Sequence, residues 1–274
     1  MKKARVLFVS SEMTPYLEPT PIGTITRQLP QGIQERGREI RTFIPRYGVI
    51  NERRNQLHEV IRLSGINIII EDTDHPLIIK VASIQAARMQ VYFIENEDYF
   101  QRKATLLDKK GLPFEDNDER SIFFCRGVVE TIKKLGWKPD IVHCHGWFTS
   151  LLPAYLKTSY ADDPMFEDVK VITSLYDDEF TGTLNKDFSK RANYQGMEKN
   201  ALDLAKVPNH ANIVKLAVQY SDGVIKGSAK LPADVEKYLK KADRPVLDFQ
   251  SSEDYITAYD EFYEQVLEEE GVFA

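Results

Sequence analysis

At 274 residues, with 42% hydrophobic and 28% charged side chains, the chain has the composition of a globular protein and not of a disordered one. Its formal net charge of −6 argues against the broad basic surface that nucleic acid or an anionic membrane would require. Two cysteines, Cys125 and Cys144, are too few for a disulfide framework and fit a reducing cytoplasm.

Met1-Lys2-Lys3 could open a signal peptide, but Val6-Leu7-Phe8-Val9 is too short for its apolar core and runs into Ser10-Ser11-Glu12. No segment approaches the roughly 20 apolar residues of a membrane span. The run Val6–Val9 instead reads as a strand buried on both faces. Ile22, Ile25, Leu29 and Ile33 then recur at helical spacing, with Thr20-Pro21 as cap and first turn and Gly37 as the stop. Ile40 to Ile44 is the next strand. From His58 to Ile94 the runs Val60–Leu63, Ile66–Ile70, Leu77–Ile84 and Val91–Ile94 leave no room for helices, which predicts an inserted β meander. Alternation resumes with a helix over 118–135, a strand over 140–143, a helix over 149–156 and a strand over 169–174. Residues 196–220 read as mainly helical, broken near Pro208. Late strands at 223–225 and 245–249 precede a helix over 251–269, with Glu268-Glu269-Glu270 as its solvated end. The pattern predicts an α/β fold: a Rossmann-like, mostly parallel, doubly wound sheet in one domain over 1–274.

Ligands of such sheets bind at the carboxyl ends of strands, so the loop 10–20 is the expected ligand loop. A phosphate loop needs glycines to bring amides close to the anion, and this one has none. It carries Pro15 and Pro19, which lack amide donors, and the acids Glu12 and Glu18. His143-Cys144-His145 places two imidazoles on one strand face, but no nearby pair completes a four-ligand zinc site, and no metal is expected. Asp72-Thr73-Asp74 reads as a turn, and Asp177-Asp178-Glu179 as a loop after a strand.

Several segments, kept in order from about residue 5 to 240, resemble the amino-terminal domain of bacterial glycogen and starch synthases. They are Val6-Leu7-Phe8-Val9-Ser10-Ser11-Glu12-Met13-x-Pro15, Leu29-Pro30, Ile44-Pro45-Arg46-Tyr47-Gly48, and Tyr92-Phe93-Ile94-Glu95-Asn96-x-x-Tyr99-Phe100. Asp116-Asn117-x-x-Arg120 and Leu135-Gly136-Trp137-x-Pro139-Asp140-Ile141-Val142-His143-Cys144-His145-x-Trp147 follow. The resemblance implies one half of a two-domain glycosyltransferase that moves glucose from ADP-glucose to the non-reducing end of an α-1,4-glucan.

The departures from that pattern lie at the ligand edge. Glu18-Pro19-Thr20-Pro21 stands in place of a Lys-Thr/Val-Gly-Gly loop against the donor phosphates, a charge reversal expected to disfavour a diphosphate by several kcal/mol. His145-Gly146-Trp147 replaces His-Asp-Trp, and Thr173-Ser174-Leu175-Tyr176 replaces Thr-Ile-His-Asn. Gly227-Ser228-Ala229 replaces Val-Ser-Pro. The second domain has no counterpart, and the helix over 251–269 resembles the family's last helix, which packs back on the first domain. The expectation is a degenerate synthase, without cofactor and inactive alone, that binds α-glucan or a glycogen-metabolism protein. An active glucosyltransferase, aided by a separate donor-binding chain, and a small-ligand sensor are the alternatives. Cleft candidates are Glu12, Glu18, Thr20, Asn117, His145, Trp147, Tyr176 and Asp177, with Trp147 and Tyr176 either stacking on sugar or packing in the core.

Overall fold

The computed structural model describes residues 4–251 and 254–268. The expected features at Met1-Lys2-Lys3, 252–253 and Glu269-Glu270 lie outside them.

β1 (Arg5–Ser10) buries every residue after Arg5, as its uninterrupted apolar run implies. It feeds α1 (Pro21–Glu35), where the Thr20 hydroxyl accepts from the Gly23 N–H at 2.8 Å. Gly37, at φ 88°, takes the left-handed turn into β2 (Glu39–Pro45). Next come α2 (Glu52–Asn55), β3 (His58–Glu59), β4 (Ile66–Ile70), β5 (Thr73–Ile84), β6 (Met89–Glu95) and α3 (Glu97–Phe100). α4 (Asn117–Leu135), β7 (Ile141–His145), α5 (Leu151–Lys157), β8 (Lys170–Leu175), α6 (Phe188–Ala192) and α7 (His210–Gln219) follow. β9 (Gly223–Lys226), α8 (Ala233–Leu239), β10 (Val246–Leu247) and α9 (Tyr255–Glu268) complete the described chain.

The sheet order is β10-β9-β8-β7-β1-β2-β6-β5-β3, with β4 paired to β5. It is parallel from β10 to β6 and antiparallel through β5, β3 and β4, so the meander extends one edge of the main sheet. β1 lies between β2 and β7: the chain passes from β1 to β2 through α1 and returns from β6 to β7 through α4, so the two crossovers run in opposite directions across the sheet. Right-handed connections then place α1 and α4 on opposite faces and open a crevice at the carboxyl ends of β1 and β7.

α9 lies against α1 and β9. A Cβ at Gly32 would come within 2.6 Å of Ile256, and one at Gly223 within 2.8 Å of Val266, so both glycines admit the helix. Arg38, at the start of β2, pairs with Asp260 at 2.5 Å and Glu264 at 2.6 Å on α9.

Two expected elements differ. Val60–Leu63 is a turn, not a strand: Ile61 is 82% exposed, and the Ser64 N–H bonds back to Val60 O. Val60 N still reaches Ile79 O of β5 at 2.8 Å, but the Leu63 and Ser64 N–H groups fold back onto Val60 O, so the backbone turns off the ladder and local preference is overridden. Over 196–220 only α7 and a 3₁₀ turn at Asp203–Lys206 are helical. Pro208 turns its carbonyl to Leu184 N, and Asn209 then caps α7 by accepting from Asn212 N, so the helix starts afresh there.

Candidate functional site

Just past β1, the Ser10 hydroxyl donates to Glu12 O at 2.9 Å and accepts from Glu12 N at 3.1 Å. This tight turn aims the Glu12 side chain at the start of α1. There the Thr20 hydroxyl donates to the Glu12 carboxylate while accepting from Gly23 N. The chain's own acid thus sits on the cap residue of α1. Burial raises the Glu12 pKa; the Thr20 hydrogen bond opposes that rise, and the nearby Asp178 charge adds to it.

Past β7, Gly146 sits at φ 77°, ψ 170°, a backbone conformation that favours glycine. An added Cβ would also lie 2.8 Å from Asp178 Oδ2 and 3.3 Å from Ile22 Cδ1. That Asp178 oxygen accepts from Trp147 N at 2.9 Å, and the other accepts from His210 Nε2 at 3.1 Å. Phe180 packs between Trp147 and His210, its ring 4.7 and 5.5 Å from theirs. The loop after β8 is therefore clamped onto the loop after β7.

Below this edge the imidazoles are structural in their bonding. His143 uses both ring nitrogens, with Tyr263 OH of α9 and Ser174 Oγ each at 2.7 Å. His145 Nδ1 meets Tyr176 OH at 2.8 Å, and its buried Nε2 has no partner among the described residues. Burial depresses both, His145 to about 3 and His143 well below its ordinary value, the latter helped by the neighbouring His145 ring. Tyr176 is 3% exposed and lies against Gly227, where a Cβ would meet its ring at 2.4 Å.

A third wall comes from residues 101–116, held by Arg120 inside the protein. Its guanidinium donates to Tyr99 O, Asn117 Oδ1 and Thr105 O at 2.7–2.8 Å, while Asn117 Nδ2 donates to Leu106 O at 2.8 Å. Asn117 therefore braces the loop with both ends of its amide.

Two adjoining cavities result. One of about 300 Å³ is lined by Glu12, Tyr47, Asn117, Trp147 and Asp178, with Phe180 and Leu107 as apolar wall. The Tyr47 hydroxyl on this wall is buried and has no hydrogen-bond partner among the described residues. The other, of about 850 Å³, is lined by Glu12, Glu18, Thr20, Asn51, Arg54 and Leu107. Of the sequence candidates, the fold thus gathers Glu12, Asn117 and Trp147 on one cavity and Glu12, Glu18 and Thr20 on the next. His145 and Tyr176 lie beneath, and Asp177 is exposed, its N–H on Ser228 Oγ at 3.0 Å. Asp178, Tyr47, Arg54 and His210 were not among the cleft candidates read from sequence. Asp178 had a signal in the Asp177-Asp178-Glu179 run, but that run does not tell which acid faces inward. Among the described residues there is no cluster of metal-ligating side chains and no helix long and apolar enough to cross a membrane.

The arrangement can bind a polyhydroxylated ligand: carboxylates accept from hydroxyls, Tyr47 donates, and aromatic rings wall the space. A family model described as the starch synthase catalytic domain matches residues 5–239. The glycogen synthase of Chlorobium limicola is 41% identical over 173 residues, 63% of this chain and 35% of that protein. That of Chlorobaculum parvum is 33% identical over 223 residues, 80% of this chain and 44% of that protein. The chain thus spans less than half the length of these curated relatives. The catalytic domain of starch synthase IV from Arabidopsis thaliana, bound to ADP and acarbose, superposes with a TM-score of 0.71 at 20% identity. That match covers 89% of this chain and 51% of the plant chain, and it shows the shared fold.

Proposed function

Because the chain belongs to the starch synthase catalytic domain family, we propose that it is a glycogen- or starch-synthase-like protein of α-1,4-glucan metabolism that binds glucan at its carboxyl edge and does not elongate it alone. The observation that carries this reading is the Glu12–Thr20 contact at the start of α1. A helix start attracts anions, and here an internal carboxylate already lies beside it on the cap residue Thr20, with Glu18 in place of a lysine on the same cavity. The neighbouring cavity, with the free Tyr47 hydroxyl, Glu12, Asp178 and Trp147, suits sugar hydroxyls better than a diphosphate.

The same proposal treats residues 1–274 as one working domain in the cytoplasm. Contacts of α9 with α1 and β9 support the first part, and two unpaired buried thiols, Cys125 and Cys144, support the second. A partner from glycogen metabolism is the other occupant this edge would suit.

A second reading, an active ADP-glucose:α-1,4-glucan glucosyltransferase working with a separate donor-binding chain, is favoured by Asp178. It places a carboxylate beside Gly146, where the family pattern has an acid.

Two measurements separate the readings. Affinity electrophoresis in glycogen gels is expected to retard the chain, and Tyr47→Phe to weaken that retardation. Incorporation of labelled glucose from ADP-glucose into a primer by the purified chain is expected to stay at background. Incorporation above background establishes the second reading, and loss of retardation removes glucan from the first.

A further inference from the structure

A cavity of about 920 Å³ lies between the β4–β5 hairpin, α4 and the segment 190–197, and shares no residue with the two at the carboxyl edge. Its wall includes Arg126 of α4, which is 6% exposed. Arg126 Nη1 donates to the carbonyl of Ile69 on β4, and the guanidinium lies 3.9 Å over the Tyr194 ring. Among the described residues its buried Nε has no hydrogen-bond partner, and no carboxylate pairs with the guanidinium.

The other cations on this wall differ. Arg191 pairs with Asp118 at 2.9 Å, Glu119 at 2.8 Å and Glu71 at 3.6 Å. Lys190 touches Glu71 at 3.5 Å, and its side chain is 77% exposed. Asp72, at the hairpin turn, is exposed and screened by water. Tyr194 cannot serve as a sugar platform: Arg126 covers one face, and Tyr160 stacks on the ring at 5.9 Å.

A guanidinium withdrawn from water without a counter-charge is unfavourable, and an oxyanion entering the cavity relieves it by charge-assisted hydrogen bonds. We propose that this cavity is an oxyanion site, in which Arg126 and Lys190 take a phosphoryl or carboxylate group of a small molecule. It stands independently of the glucan reading, since no residue is shared.

The test is the melting temperature of the full chain titrated with sodium phosphate and, separately, sodium succinate, each against sodium chloride at matched ionic strength. One of the two is expected to raise it by about 3 °C or more over chloride at saturation, and which one does so identifies the group. Arg126→Gln is expected to abolish the rise. Lys190→Glu, at an exposed position that leaves the fold intact, is expected to weaken binding about tenfold or more. No rise over chloride with either anion, or a rise undiminished in Lys190→Glu, overturns the proposal even if Arg126→Gln does not fold.

Discussion

Asp178 Oδ2 occupies the space that a side chain on residue 146 would enter, 2.8 Å from the position of a Cβ on Gly146. The glycine in His145-Gly146-Trp147 and the acid two residues past β8 are therefore one feature. The first leaves room, and the second fills it and binds Trp147 N.

Gly146→Asp is expected to destabilise the fold by about 2–3 kcal/mol, from the left-handed backbone and the collision with Asp178. Urea denaturation measures this. Adding Asp178→Ala should recover about 1 kcal/mol while the backbone strain remains. Strict additivity of the two changes would show that the carboxylate does not hold that space.

Glu18 is exposed, so its repulsion of a diphosphate is screened to about 1 kcal/mol, less than the several expected from charge reversal alone. Half-buried Glu12 is then the larger obstacle at this loop. Millimolar ADP-glucose is expected to leave the melting temperature within about 1 °C in the native chain, and Glu18→Lys to increase the shift. A clear rise in the native chain that Glu18→Lys fails to enlarge contradicts the assignment of this loop.

The two buried imidazoles set a pH dependence. Their folded pKa values lie below the ordinary value near 6.5, so the unfolded chain binds protons first as pH falls. Stability is full above about 6.5 and declines from there toward about 3, the value for His145, by up to about 1.4 kcal/mol per pH unit for each ring. Glu12 acts oppositely: its raised pKa contributes stability below the ordinary carboxyl value that is lost as pH rises through the raised one. Urea midpoints at pH 7 and 5 should show the decline, and His145→Gln should reduce it. An unchanged slope in that variant rules out His145 as a source.

Removing the guanidinium that ties β2 to α9 tests the docking of that helix. The Arg38 side chain is 2% exposed, whereas its partners Asp260 and Glu264 are 23% and 56% exposed. Arg38→Met is expected to cost about 1–3 kcal/mol, below the loss for a fully buried pair because water can reach both acids. Hydrogen exchange should quicken first in α9. Uniform loss of protection across the sheet would place the effect elsewhere.

Much of the architecture is written locally. The β1-α1-β2 unit, the Thr20 cap, the Gly37 turn and the Ile66–Ile70 strand follow from periodicity and turn chemistry within a few neighbouring residues. The β meander was legible for the same reason, whereas the family resemblance rested on the order and spacing of motif segments from about residue 5 to 240. Where local signals misled, at Val60–Leu63 and over 196–209, a turn that leaves the β5 ladder and a proline-led restart decided the outcome.

The edge of the sheet was legible only in part. Sequence alone determined that its first loop is acidic and lacks glycine up to α1, because composition needs no coordinates. It could not tell Asp177 from Asp178, since neighbouring side chains in a loop diverge and their directions depend on what anchors the backbone. Here Ser228 holds Asp177 N, and His210 and Trp147 N take the Asp178 carboxylate. Nor could it show that His143 meets Tyr263 across 120 residues or that, among the described residues, Arg126 is left without an acid. Those are properties of packing, which brings distant side chains together or leaves a charge without a counterpart, and only the folded arrangement settles them.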